Sequence, residues 1–327
     1  MSLLEKFRGA LLGVAVGDAL GAPVEGFDGE SARRFYEKHG WKMVSGKYTD
    51  DTEMTIGVAE SLIACKGFNG SHLARQFLRN YNESRGYGPG TREVLKMLSE
   101  GVGWKEASRK IFGGEGSYGN GAAMRIAPVG LLYHEDAEKL REVAFKVSEI
   151  THAHELAKEG AALLAFAVAL ACRYGCNHYT AEVSAEEEKE EAREAKIEML
   201  RSLHAFARHR IYQEKLARIE ALLHAKEDEE EARKRAVSEL GNGEASFNSV
   251  PTAIFSFLRS HDFRESIVFA ISLGGDTDTI AAMTGAVSGA FYGERSIPRE
   301  WLESLESGVV AYLTKLAEDL YELSKEI

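Results

Sequence analysis

Two short blocks of the sequence crowd carboxylates and hydroxyls together. Tyr48-Thr49-Asp50-Asp51-Thr52 sets two adjacent carboxylates between two threonines, and far downstream Gly274-Gly275-Asp276-Thr277-Asp278-Thr279 repeats the chemistry. The first block leads into an apolar-periodic stretch, Met54 to Ala64, and the second lies between two apolar runs, Ile267 to Leu273 and Ile280 to Ala290. Carboxylates beside core-forming segments are costly to desolvate unless something pairs them. Neither block holds a lysine or arginine, so the natural partner is a hard cation. Oxygen ligands without His or Cys favour Mg²⁺ or Mn²⁺ over Zn²⁺. Two divalent ions would cancel the charge of the four aspartates. The pattern therefore predicts a two-metal site, with the two blocks facing each other. Aspartate and threonine are also good helix N-caps. Capping alone needs one such residue rather than four, and a helix N-terminus can carry both roles.

Three further features bear on chemistry. Gly114-Glu115-Gly116-Ser117-Tyr118-Gly119 fits G-x-G-x-x-G, but no strand precedes it, so a dinucleotide fingerprint is excluded. A glycine loop entering a helix near Ala122 can instead aim N–H groups and a helix dipole at an anion; a flexible loop is the alternative. Phe112 and Tyr118 are placed to stack on an aromatic ring or to join the core, and His152 stands at a helix start as cap or ligand. Asp276-Thr277-Asp278 also matches the D-x-D of nucleotide-sugar transferases, whose α/β nucleotide domains have no counterpart here.

The elements that must hold these residues read as helices. Residues 4 to 21 form a helix with one small face, Gly9, Ala10, Gly13, Ala15 and Gly17, suited to close packing at the centre of the fold, and Asp18 lies on it. A glycine-bounded loop, Gly21 to Gly26, then carries Glu25, and its glycines would let Glu25 swing over the metal site. Residues 28 to 47 are polar and poorly periodic. Helices follow at about 53 to 65, 71 to 84, 91 to 99, 104 to 112, 122 to 133, 137 to 150, 153 to 174, 250 to 260, 264 to 273, 278 to 291 and 307 to 325. From 181 to 240 the chain is dense in Glu, Lys, Arg and Ala, with apolar stripes Ile197, Leu200, Leu203, Phe206 and Leu216, Ile219, Leu222, Leu223. No period-2 stretch is long enough for a strand. The expectation is an all-α, compact domain over residues 1 to 327.

Composition narrows the class. A net charge of −11 argues against a dedicated nucleic-acid groove. The three cysteines, Cys65, Cys172 and Cys176, make no disulfide framework and suit a reducing cytosol, with Cys172 and Cys176 read as small buried residues. The run from Gly9 to Gly17 resembles a signal peptide, but Glu5 and Asp18 interrupt it, so it reads as a buried helix. Gly160 to Cys172 falls short of the ~20 residues that span a bilayer. No membrane association is expected. Glutamine is confined to Gln76 and Gln213 while Glu, Lys and Arg abound, a bias of thermophile proteins.

These blocks together resemble one family. Glu25, Tyr48 to Thr52, Gly116 to Gly121, Thr151-His152 and Gly274 to Ile280 occur in the order of the ADP-ribosylhydrolase (ADP-ribosylglycohydrolase) family, over nearly the whole chain. Leu240-Gly241-Asn242-Gly243, Ser249 to Ile254 and the Gly86-Tyr87-Gly88 turn look like its serine-ADP-ribose and poly(ADP-ribose) branch. The arginine-directed branch usually reads Asp-x-Asp-Ser where Thr279 stands. The resemblance implies an orthogonal helical bundle with a binuclear Mg²⁺ site, Mn²⁺ being a possible substitute. It makes Thr49, Asp50, Asp51, Asp276, Asp278 and Thr279 the metal ligands and Glu25 the mobile acid beside them. It makes Glu115, Gly116, Ser117, Tyr118, Gly119, Asn120 and Gly121 the diphosphate and ribose loop, Phe112 the adenine-stacking ring, and His152 a substrate contact. Glu244 stands where the serine branch has an apolar residue, which bears on the leaving group. The implied reaction is hydrolysis at the anomeric carbon of ADP-ribose, through an oxocarbenium-like state, with Glu25 as lead acid or base and Asp276 second. The implied partners are ADP-ribose and ADP-ribosylated proteins or polymer, for a cytoplasmic monomer. Two alternatives stand beside this: an arginine-specific or dinitrogenase-reductase-activating hydrolase, and a non-catalytic, crystallin-like member, against which Glu25 and the full ligand set argue.

Overall fold

The computed structural model describes residues 1–175 and 185–327. Among these there are seventeen α-helices and no strand. The first half holds α1 (Leu3–Gly21), α2 (Gly29–His39), α3 (Asp50–Cys65), α4 (Gly70–Asn80), α5 (Pro89–Ser99), α6 (Trp104–Ala107), α7 (Ala127–Leu132), α8 (Ala137–Ser148) and α9 (Glu155–Tyr174). The second half holds α10 (Ala185–Phe206), α11 (Arg210–His224), α12 (Glu229–Glu239), α13 (Ser246–Arg259), α14 (Phe263–Ser272), α15 (Thr277–Tyr292), α16 (Arg299–Ser304) and α17 (Val309–Ser324). Cys176 and the start of the charged stretch, residues 181 to 184, lie outside the described residues.

The fold is built on α1 against α15. Ser2 and Glu5 close a capping box at the head of α1, with bonds of 3.2 and 2.7 Å. From there the small face of α1 runs along α15 in the opposite direction. A Cβ on Gly13 would lie 2.1 Å from the carbonyl oxygen of Gly285, and one on Gly17 would lie 2.0 Å from that of Ala281. Only hydrogen fits there, so the two backbones touch. By composition α1 could cross a bilayer, but 83% of its most apolar window is buried inside the protein. The same pairing puts the C-terminal end of α1 beside the N-terminal end of α15, where a Cβ on Gly21 would meet the Cα of Asp278 at 2.4 Å. Gly21 is thus a close-contact residue rather than the hinge expected of it.

Several boundaries differ from the sequence expectation for identifiable reasons. Helix α2 was not expected, because its buried stripe is only Ala32 and Tyr36. Asp28 caps it through the Ser31 N–H at 2.9 Å, and Gly40 ends it at φ 66°. In α10, Ile197 is 43% exposed. The buried stripe is Lys196, Met199, Leu200 and Leu203, so Ile197 sits beside it. Leu216, Ile219 and Leu222 are buried as expected. The glycine loop does not feed a helix at Ala122. A single 3₁₀ turn, Asn120–Ala122, follows it, and α7 starts only at Ala127, with Pro128 in its first turn. The helix dipole expected behind the loop is therefore absent there.

Candidate active site

Asp18 organises the first acidic block, and sequence reasoning gave it no role. Its buried carboxylate accepts the backbone N–H of Thr49 at 2.9 Å, that of Thr52 at 3.1 Å and the Thr52 hydroxyl at 2.5 Å. It caps α3 from another helix and fixes Asp50 and Asp51 on the first turn. Its only sequence signal was a charge inside an apolar, small-faced helix. Burial pushes its pKa up to about 6, against the four hydrogen bonds that lower it.

The two acidic blocks face each other. The Thr279 hydroxyl lies 3.4 Å from Asp51 Oδ2, which also accepts the Thr49 hydroxyl at 3.1 Å. Asp51 Oδ1 is buried with no hydrogen-bond partner. Oxygens of Glu25, Asp276 and Asp278 lie within 4.8 Å of one another. None of the site aspartates has a Lys or Arg partner among the described residues. Burial, followed by the charges of its neighbours, raises Asp50 to about 7 and holds Asp51 and Asp278 well above the carboxylate range. A largely buried all-oxygen donor set with an orphaned carboxylate oxygen and no paired cation among the described residues fits a hard divalent ion.

Glu25 follows a 3₁₀ turn, Ala22–Val24, that closes α1. Its pKa is raised by burial first, then by Asp276, Glu244 and Asp18. The backbone beyond it is tied to the second block: Gly26 N–H donates to Gly275 at 2.8 Å, and Gly275 N–H donates back to Phe27 at 2.8 Å.

The glycine loop joins this centre through Asn120. Its Nδ2 donates to Asp276 Oδ2 at 2.5 Å and to Ser249 Oγ at 3.0 Å, while its N–H donates to the Glu244 carbonyl at 2.8 Å. The backbone carbonyl of Asn242 accepts the Asp276 N–H at 2.8 Å. Ser117 Oγ accepts Gly119 N–H at 3.0 Å, and the N–H groups of Ser117 and Tyr118 donate to no group among the described residues. Gly116 packs on Ala153, and the His152 ring packs on Gly119 and Gly121. Two neighbouring free N–H donors beside a carboxylate cluster suit a phosphate next to a metal-held sugar.

The remaining candidates lie at the rim. Phe112 is 62% exposed at φ 50°, over Gly90, and Tyr118 is 53% exposed, near His154 and Phe247. Both present open ring surface. Glu115 and Glu244 are exposed; the Glu244 carboxylate lies near enough to disfavour the charge on Glu25. A cavity of 890 Å³ between α10, α11 and α13, lined by Lys196, His204 and Arg259 among others, contains none of these residues.

A helical bundle holding a carboxylate cluster beside a glycine-rich anion loop is the frame of a glycosidase-type hydrolase. The ADP-ribosylglycohydrolase family model matches residues 1–326. The chain is 35% identical to the ADP-ribosylhydrolase ARH3 of Mus musculus, over 93% of this chain and 88% of that one. It is 36% identical to an uncharacterized protein of Archaeoglobus fulgidus, over 99% and 98% of the two chains. A solved structure titled as an ADP-ribosylglycohydrolase-related protein complex superposes with a TM-score of 0.73 at 27% identity, covering 98% of this chain and 99% of that one. The chain belongs to the ADP-ribosylglycohydrolase family.

Proposed function

We propose that the protein hydrolyses the O-glycosidic bond at the anomeric carbon of ADP-ribose. The substrate class is serine-linked ADP-ribose, poly(ADP-ribose) and O-acetyl-ADP-ribose, and the outcome is removal of ADP-ribosylation. The observation that carries this is the Asn120 side chain, which binds Asp276 at 2.5 Å and so joins an anion loop to a carboxylate cluster. A diphosphate on the loop would place its attached ribose over the carboxylates.

Thr49, Asp50, Asp51, Asp276, Asp278 and Thr279 would hold two divalent ions, Mg²⁺ by preference. Bound there, such ions supply Lewis-acid orientation of the ribose hydroxyls. The protein's own residues supply the rest. Ser117 and Tyr118 N–H groups bind the diphosphate, and Phe112 offers its exposed ring to adenine. Glu25, beside the cluster, is the lead acid: in its protonated form it would give a proton to the departing oxygen as the bond breaks, and the resulting carboxylate then takes a proton from water. Asp276, held by Asn120, is the second candidate for that role.

Glu244 favours a second reading. A carboxylate beside Glu25 would attract a cationic leaving group, so arginine-linked ADP-ribose is the competing substrate. Time courses on serine-linked, arginine-linked and polymeric ADP-ribose with Mg²⁺, followed by release of free ADP-ribose, separate the two. Faster release from serine and polymer supports the proposal; release from arginine alone moves the assignment.

A further inference from the structure

Arg125 is fully buried and has no carboxylate partner. Its Nη1 donates to the Gly121 carbonyl at 2.6 Å, its Nη2 donates to Thr151 Oγ1 at 2.7 Å, and its Cζ lies 4.9 Å from the centre of the Phe77 ring. Burial pulls its pKa down to about 9, so it remains charged at neutral pH. It also reaches the Val147 carbonyl at 3.4 Å and the Met54 sulfur at 3.8 Å, but its two short hydrogen bonds go to the end of the glycine loop and to the residue before His152.

The direction of each hydrogen bond follows from the groups involved. A guanidinium only donates, so Thr151 Oγ1 accepts from Arg125. The hydroxyl oxygen could accept a second hydrogen bond, but its single proton has no acceptor among the described residues other than His152 Nδ1, 2.7 Å away. Nδ1 must therefore be the acceptor of a neutral ring, since burial, aided by the charge of Arg125, pulls the imidazole down to about 3. The ring proton falls on Nε2. That nitrogen has no partner among the described residues and is not sealed from solvent. It faces the glycine loop: a Cβ would come within 2.9 Å of it at Gly121 and 3.5 Å at Gly119.

We infer that Arg125 and Thr151 are positioning residues that lock His152 as an Nε2–H donor, aimed into the Gly119–Gly121 loop at an oxygen of bound ADP-ribose. The ligand named here rests on the proposed function; the relay itself does not. Arg125 also ties the loop to the relay, because the same guanidinium holds the Gly121 carbonyl.

The test is ¹⁵N NMR of protein labelled at histidine, free of ligand, with the His152 signals identified among the 10 histidines by their absence in H152Q. Wild type and T151S should show a bare Nδ1 and a protonated Nε2. T151V should lose that bias and bind ADP-ribose about tenfold more weakly, the loss of one hydrogen bond, while T151S keeps the wild-type affinity. A wild-type ring protonated on Nδ1 would overturn the relay, even were T151V not to fold. So would a folded T151V with the wild-type tautomer and affinity. Failure of wild type to bind ADP-ribose would overturn the functional reading and the ligand named here, an outcome distinct from either.

Discussion

Single residues in the site are held in conflict, and Asp51 shows it most plainly. One oxygen collects hydroxyls from both blocks, and the other has no partner at all. Relief of that conflict by a cation is measurable. Mg²⁺ at a hundredfold excess over its Kd should stabilise the native state by about 2.7 kcal/mol per site, read as a rise in Tm over protein in EDTA. Asp278→Ala should abolish the rise; equal melting with and without Mg²⁺ would contradict the metal assignment. His152 carries a different conflict. Its native pKa, about 3, lies below the ordinary 6.5 of an unfolded chain. Below 6.5 the unfolded chain takes a proton that the native ring refuses. This stability is present above pH 6.5 and is lost as pH falls toward 3. His152→Gln should therefore melt closer to wild type at pH 5 than at pH 7, and a gap that stays constant with pH would show that the ring is not buried neutral.

Among the elements, α1 and α15 decide where the site can form. Their backbones meet at Gly13 and Gly285, and the same register sets Gly21 on Asp278. Gly13→Val should cost about 3 kcal/mol or more, since backbone cannot yield as a side chain can. A Tm within a degree or two of wild type would mean the helices are not in contact there. This small face was visible in the sequence because its glycines and alanines recur at helical spacing. The two acidic blocks were visible because each is contiguous. Asp18 was not given its role because its partners, Thr49 and Thr52, lie more than thirty residues away. The contacts of Asn120 and Asn242 with Asp276 escaped for the same reason: nothing local says that the side-chain amide of the one and the backbone carbonyl of the other will meet an aspartate so far along the chain. The α2 helix escaped because two buried residues make too short a period, and the loop's expected helix was misplaced because a 3₁₀ turn and Pro128 intervene.

Over the whole molecule, charge is arranged as networks. Arg33 of α2 and Arg233 of α12 share Glu230, and Arg233 with Arg259 of α13 shares Glu229, at separations of 2.7 to 3.7 Å. Networks of this kind contribute most at high temperature. With glutamine so scarce, the protein should melt above the ~45–65 °C range of mesophile domains; a Tm inside that range would contradict the thermophile expectation.

The central claim is that an ADP-ribose unit bound on the glycine loop is cleaved by Glu25 at the carboxylate cluster, and Glu25→Gln addresses it most directly. With Mg²⁺ and serine-ADP-ribosylated peptide, kcat and the Kd for ADP-ribose should be measured on wild type and variant of equal Tm. The account predicts a kcat lower by ~10²–10⁴-fold, with binding of ADP-ribose retained. A folded Glu25→Gln that releases ADP-ribose at close to the wild-type rate would contradict it and pass the proton-transfer role to Asp276.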